Sequence, residues 1–244
     1  MDRSDYASRV VSSHLERSGL EDLRGTTVME VGPGDSLYSG VYLAFQGAFS
    51  VLLDSDDFAD RRDQAYLNVT NQLLPESVKR ADFLPNALIE KGQLRYLTQG
   101  ENSWGQVKSE SIDFLFSQAV LEHVPFNQLR KTIAEMYRVL RPGARASHRV
   151  DLKDHLGGGL NNLRFSESLW ESSAFRNGGF YTNRVRLSSF IGIFEDIGFE
   201  IVELKKDEFK KLPLPVEKVN GSVGWTDESD LLVSGFDILM IRPL

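Results

Sequence analysis

The chain contains no cysteine. That absence excludes disulfides, thiolate-held metals and cysteine nucleophiles together. No stretch approaches the ~18 consecutive apolar residues of a membrane span, and Met1 to Tyr6 is polar, without the apolar core of a secretion signal. A cytoplasmic protein is expected. Basic charge is in deficit: 28 Lys and Arg stand against 35 Asp and Glu, a net charge of −7. Phosphate-backbone binding needs a basic footprint, so duplex DNA and bulk RNA are poor partners for this surface, although a local basic cleft stays open. Internal repeats, low-complexity tracts and clear domain boundaries are also missing. With 244 residues, 41% of them hydrophobic, the chain can bury a real core, and a single domain over residues 1–244 is expected.

What is present is most informative at Val28-Met29-Glu30-Val31-Gly32-Pro33-Gly34-Asp35-Ser36, followed by Val51-Leu52-Leu53-Asp54. The pattern reads as a buried strand, a glycine turn, a helix, and a second strand ending in a carboxylate. That is the nucleotide-binding half of a Rossmann-like sheet. Gly32 and Gly34 can take positive φ and let backbone approach a ligand. Asp54 stands where ribose 2′- and 3′-hydroxyls find an acceptor; its other reading is a helix N-cap for Ser55-Asp56-Asp57. No basic residue follows it directly, which disfavours a 2′-phosphate on the ligand.

Apolar periodicity predicts helices at residues 4–18, Leu37–Phe45, Asn127–Leu140 and Leu187–Ile197, with helical patches at Asp60–Leu67 and Ser77–Ile89. Strands are predicted at Thr27–Val31, Ser50–Leu53, Gln93–Leu97, Ile112–Ser117, Ala144–Val150, Phe199–Leu204 and Leu232–Ile241. The fold class is therefore α/β: a Rossmann-like, mostly parallel seven-stranded sheet with helices on both faces and an antiparallel edge strand. Within it, residues 1–25 read as a helical cover, 26–150 as the cofactor-binding core, 151–186 as a glycine-punctuated lid and 187–244 as the closing helix and strands.

The pattern resembles the class I S-adenosylmethionine (SAM)-dependent methyltransferases. The resemblance is carried by Glu30-Val31-Gly32-Pro33-Gly34, by Asp54, by the run Ile112 to Val124, by Glu135 to Gly143 and by Phe194 to Phe199. It covers mainly residues 26–150. The middle of the chain is also similar to methyltransferases that modify bacterial sugars and polysaccharides, through His148 to His155, Asn161 to Ser166 and Phe180 to Arg184. The resemblance implies SAM as cofactor and S-adenosylhomocysteine as product. It implies that the glycine turn faces the methionine part of SAM, with Glu30 near the ligand's amino group or the turn's amides. Two departures stand out. Ser36 replaces the family's third glycine, and no adenine-side acid is obvious among Thr98, Gln99, Glu101 and Asn102.

The resemblance and the strand ends together nominate Glu30, Gly32, Pro33, Gly34, Asp54, Ser55, Ser117, Gln118 and Ala119 for the cofactor. The last three follow the fourth strand, and ligands of open α/β sheets sit at such carboxyl ends. Proton transfer is assigned to His123, His148 or Asp151, if the acceptor must lose a proton at all. Strand alternation puts His148 and Val150 on one face and Arg149 and Asp151 on the other. His148, Asp151, Asp154 and His155 have the donor types of a divalent-ion site, but their spacing matches no ligand motif and no metal is expected. Residues 138–186 are locally basic and carry Phe165, Trp170, Phe175, Phe180 and Tyr181. The segment reads equally as a clamp for an anionic or sugar-containing acceptor and as a lid whose aromatics form a small core. The expected activity is methyl transfer to a polar small molecule, first a saccharide hydroxyl. The expected partners are that acceptor and no DNA; a homodimer is compatible. A non-catalytic SAM or nucleoside-binding module and an NAD-type oxidoreductase are the other readings.

Overall fold

The computed structural model describes residues 3–67, 70 and 79–244. The chain divides into two compact units, Met1–Gln118 with Arg138–Ser147 and Leu244, and Ala119–Tyr137 with His148–Pro243. The seven strands are β1 (Thr27–Val31), β2 (Phe49–Leu53), β3 (Leu94–Leu97), β4 (Ile112–Gln118), β5 (Leu140–Asp151), β6 (Glu200–Glu208) and β7 (Val233–Ile241). They form one sheet in the order β3-β2-β1-β4-β5-β7-β6. No helix among the described residues is long and apolar enough to cross a membrane.

In the first unit β1 runs parallel to β2 and β4, and β2 parallel to β3. The register aligns the strand ends: Val31 faces Leu53 and Ser117, and Leu53 faces Leu97. The turns after these strands therefore open at one edge of the sheet, which is where the glycine turn and Asp54 lie. Helix α1 (Arg3–Ser18) packs on α2 (Tyr38–Phe45) and β4, and α2 packs on β2 and β3. One core cluster joins Leu37, Val41, Leu52, Leu88 and Leu94; a second joins Val11, Val28, Leu43, Phe114 and Phe116. Fully burying each such side chain contributes about 1.5–3 kcal/mol. Gly40 belongs inside α2 because a Cβ there would run into Leu94 and crowd Leu52. Its missing side chain lets the helix approach the sheet, which offsets its low helix propensity.

The patch expected at Asp60–Leu67 becomes helical later than expected, with a 3₁₀ turn at Asp63–Tyr66 and Leu67 already α-helical. Asp60 Oδ1 accepts the Arg62 N–H at 2.9 Å, a local side-chain bond that competes with helix initiation. The start of the patch expected at Ser77–Ile89 lies outside the described residues. Its described part forms a 3₁₀ turn at Arg80–Phe83 and α3 (Pro85–Glu90), with Pro85 opening the helix.

In the second unit α4 (Phe126–Val139) supplies most of its length, with Arg138 and Val139 falling in the first. It passes into β5 at Leu140, earlier than the expected Ala144. Pro142 cannot continue a helix, and Gly143 at φ +80° is absorbed as a bend within the strand. Residues 151–186 hold α5 (Glu167–Trp170) and α6 (Ser173–Arg176). Then α7 (Leu187–Ile197) ends where Gly198, at φ +112°, turns its N–H back to the carbonyls of Phe194 and Glu195. After α8 (Glu228–Leu232), β7 pairs antiparallel with β6. Arg186 is buried at the centre, donating to the carbonyls of Leu152, Asp230, Leu231 and Val233. Burial pushes its pKa down to about 10, so it stays charged at neutral pH.

Candidate functional site

A cavity of about 480 Å³ opens in the first unit, walled by Tyr6, Val10 and Val11 of α1, by Glu30, Gly32, Pro33 and Ser36 of the glycine turn, and by Gln118 at the end of β4. Small-molecule sites typically run ~300–1,000 Å³. Gly32 and Gly34 take φ +77° and +68°, and a Cβ built on Gly34 would meet no atom within 4 Å. The face of the turn is therefore open to a ligand instead of being packed against protein.

Two buried carboxyl groups flank the glycine turn: Glu30 lines the cavity, and Asp54 bonds the turn from the end of β2 without lining it. Glu30 is buried and accepts the Ser39 hydroxyl from α2. Burial pushes its pKa up to about 7; the Ser39 bond opposes the rise and the charge of Asp54 adds to it. Asp54 is also buried. Its Oδ2 accepts the Gly34 N–H at 2.9 Å and its Oδ1 the Ser55 N–H at 2.7 Å. Burial raises its pKa against those bonds. No helix begins at Ser55-Asp56-Asp57, so Asp54 is not an N-cap; it braces the glycine turn on the end of β2. Of the residues after β3, Gln99 donates its N–H to Ser103 Oγ at 2.9 Å, and the Gly100 N–H bonds the Asp54 carbonyl at 3.2 Å.

Sequence reasoning treated α1 as a cover and passed over His14. Its Nδ1 lies 2.8 Å from Ser147 Oγ and its Nε2 3.1 Å from Gln118 Oε1. Arg17 donates to Ser147 Oγ at 2.8 Å, so the serine proton is directed to Nδ1 and His14 donates from Nε2. Burial, then the Arg17 charge, takes the His14 pKa down to about 4, which keeps the imidazole neutral. The chain Arg17–Ser147–His14 fixes the amide of Gln118 at the cavity wall. The sequence marks the residue, a histidine on the apolar stripe of α1 at helical spacing from Val10 and Val11, but not its partners. Ser117, by contrast, is wholly buried.

In the second unit Ala119 takes φ +53° and its N–H bonds the Arg149 carbonyl at 2.9 Å. His123 is exposed and shares a hydrogen bond of 3.0 Å between Nδ1 and the Tyr181 carbonyl, which makes Nδ1 the donor and leaves Nε2 with its lone pair. Desolvation by surrounding protein lowers its pKa, as does His155, whose ring lies 5.0 Å away. Glu122 is buried, with Oε1 accepting the Asp151 N–H at 3.3 Å and Oε2 enclosed without a hydrogen-bond partner. Burial pushes its pKa up to about 8, helped by the Asp151 charge. Asp151 accepts the Lys153 N–H at 3.0 Å and pairs with Lys153 Nζ at 3.5 Å.

His148 is fully buried and its ring stacks on Phe194 at 6.2 Å. Arg149, next to it, is partly exposed, and the candidate base His148 lies in the core. Asp154 ties its own loop, accepting the N–H groups of Leu156, Gly159 and Asn161. No group of three His, Asp or Glu among the described residues is arranged to hold a metal ion. The lid aromatics form a core: Trp170 is fully buried, within 5.4–6.3 Å of the rings of Phe165, Phe175, Phe180 and Tyr181, and donates its indole N–H to the Thr182 carbonyl at 2.7 Å.

Comparison with known proteins bears on this geometry. Residues 66–147 match the family described as a methyltransferase domain. The span takes in β3, β4, α4 and most of β5, less than half the chain, and begins after the glycine turn and Asp54. Phosphoethanolamine N-methyltransferase 2 of Haemonchus contortus, solved with SAM, superposes over 97% of this chain with a TM-score of 0.55 and 17% identity. The chain spans about half of that protein, 53% of its length. A SAM-dependent methyltransferase from Methanosarcina mazei superposes at a TM-score of 0.57 and 18% identity, over 94% of this chain and 97% of its own. This is the methyltransferase fold. A geranyl diphosphate methyltransferase solved with its substrate and sinefungin shares that fold at a TM-score of 0.56 and 15% identity, over 96% of this chain and 77% of its own. At such identities the methyltransferase fold is what the likeness establishes. No curated protein matches the chain in sequence.

Proposed function

We propose that the chain transfers a methyl group from SAM to a polar small-molecule acceptor, first among them a hydroxyl of a saccharide or related metabolite. The observation that carries the reading is the open glycine turn, braced by Asp54, which together with the buried Glu30 borders a cavity of about 480 Å³. These residues suit SAM: Glu30 would receive its ammonium, Gly32, Pro33 and Gly34 its methionine chain, and Asp54 with Ser55 its ribose. Gln118, oriented by His14, offers an amide at the wall, and Ser117 and Ala119 complete the strand end. SAM supplies an activated methyl on a sulfonium, whose in-line transfer needs alignment more than covalent help.

The candidates for proton transfer are His123, His148 and Asp151, all residues of the second unit. His123 presents a neutral imidazole with a free Nε2, which suits removal of a hydroxyl proton. Asp151 is held by Lys153, and His148 is enclosed, so both are weaker candidates. The test is transfer of label from methyl-labelled SAM across sugars, sugar acids and amines, with His123→Gln beside the wild type. The proposal expects turnover with a hydroxylated acceptor and a loss of ~10²–10⁴-fold in the variant. Turnover confined to amines, or full activity without His123, would contradict the acceptor and the base respectively.

A further inference from the structure

Gln118 ends β4 on the wall of the first unit's cavity. Its side-chain amide could present either an oxygen acceptor or a pair of N–H donors there. Three neighbours decide which. Arg17 donates to Ser147 Oγ at 2.8 Å and also faces His14 Nδ1 at 3.4 Å. A cationic donor on that side keeps the imidazole proton off Nδ1, which accepts the Ser147 hydroxyl at 2.8 Å. The proton therefore sits on Nε2, where it needs an acceptor, and Gln118 Oε1 at 3.1 Å is that acceptor. The imidazole is itself held fast: His14 is buried, and its ring centre lies 5.0 Å from that of Phe116. One orientation of the amide satisfies this arrangement, with the oxygen on His14 and the N–H groups turned away from it. Among the described residues Gln118 Nε2 has no hydrogen-bond partner, and it is not an enclosed atom.

The rest of the wall is short of such donors. The Ser39 hydroxyl is engaged by Glu30. The Gly32 N–H bonds the Leu53 carbonyl at 2.8 Å, Pro33 has no N–H, and the Gly34 N–H bonds Asp54 at 2.9 Å. No Lys or Arg lines the cavity among the described residues. A ligand that carries an ammonium and a carboxylate on one carbon would meet Glu30 with the first and would need a neutral donor for the second.

We propose that Gln118 receives the carboxylate of the cofactor's amino-acid head, and that His14, backed by Ser147 and Arg17, is a positioning residue that keeps the amide's N–H groups on the cavity side. The inference rests on the proposed use of SAM and names the end of SAM that this wall receives. A neutral amide also suits the neighbourhood, because unlike an arginine it does not compete with the ammonium for Glu30.

The experiment is calorimetric titration of S-adenosylhomocysteine and of its decarboxylated analogue, the aminopropylthio nucleoside that lacks only the carboxylate. Both are titrated into the full chain as wild type, Gln118→Leu, His14→Leu and His14→Gln. Wild type is expected to prefer S-adenosylhomocysteine by about 10–100-fold, the worth of hydrogen bonds to a charged group. Gln118→Leu is expected to lose that preference by weakening S-adenosylhomocysteine alone. His14→Leu is expected to lower it at least about threefold by freeing the amide, and His14→Gln, whose own N–H can replace Nε2–H, to restore it. A merely structural role for either residue would weaken both ligands alike. Gln118→Leu, on the partly exposed wall, carries the test if His14→Leu does not fold. Wild type that binds S-adenosylhomocysteine without preferring it, or an unchanged preference in Gln118→Leu, would overturn this inference and leave the proposed function standing. An unchanged preference in folded His14→Leu would overturn the positioning role. Folded wild type that binds neither ligand would overturn the inference and the proposed function together.

Discussion

Glu30→Gln isolates what it costs to keep a carboxyl group inside the first unit. In the folded chain burial raises its pKa to about 7 from an ordinary 4.5. At about 1.4 kcal/mol per unit, ionising it in place costs about 3 kcal/mol of stability. The direction follows from linkage. Below pH 4.5 the group is protonated folded or unfolded, and there is no penalty. Between pH 4.5 and 7 the unfolded chain loses the proton first, so stability falls as pH rises; above pH 7 the penalty is complete. Glutamine cannot ionise and can still accept the Ser39 hydroxyl. Urea unfolding of wild type and variant between about pH 5 and pH 8 should therefore show the variant gaining on the wild type by up to about 3 kcal/mol, with most of the change below pH 7. Glu122, whose pKa is also raised, is common to both proteins and cancels in the difference. A difference independent of pH would mean that Glu30 titrates as an ordinary surface carboxylate and would refute the reasoning. Under the proposed function the same carboxylate meets the ammonium of the cofactor, so S-adenosylhomocysteine affinity should rise through pH 7 in the wild type and stay flat in the variant.

Gly34→Ala meets open space but must hold φ +68°, so it should cost only about 1–2 kcal/mol. Its melting point should fall by about 2–4 °C per kcal/mol while S-adenosylhomocysteine affinity falls far more, as paired melting and titration would show. His14→Ala leaves Gln118 and Ser147 without their shared partner, and thermal melts should register a loss of at least about 1–3 kcal/mol. Arg186→Met strands four carbonyls around an enclosed site, and denaturant unfolding should show a loss of at least about 3 kcal/mol.

Strong periodicity carried most of the architecture. The bounds of β1 and α7 match the sequence expectation because each is framed by unambiguous signals: a buried run into a glycine turn, and an amphipathic stripe ending at Gly198. Asp60–Leu67 was harder because its charged side chains bond their own backbone, which periodicity does not register. The start of β5 was missed because Arg141-Pro142-Gly143 reads as a loop, whereas the chain only bends there. The glycine turn and its brace were legible because the turn chemistry is local: Glu30, Gly34 and Asp54 meet through consecutive parallel strands. The burial of His148 against Phe194 and the His14–Gln118 bond depend on partners 46 and 104 residues away, and no local pattern encodes them. Likewise, composition could not choose between clamp and core for the lid aromatics, since both need the same residues; the packing around Trp170 chose core.

The central claim is that the glycine turn with Asp54 holds SAM. Calorimetric titration of S-adenosylhomocysteine into wild type and into Asp54→Ala tests it most directly. The account predicts micromolar binding to wild type, about −8 kcal/mol, weakened at least about tenfold in the variant. Folded wild-type protein that does not bind S-adenosylhomocysteine would contradict it.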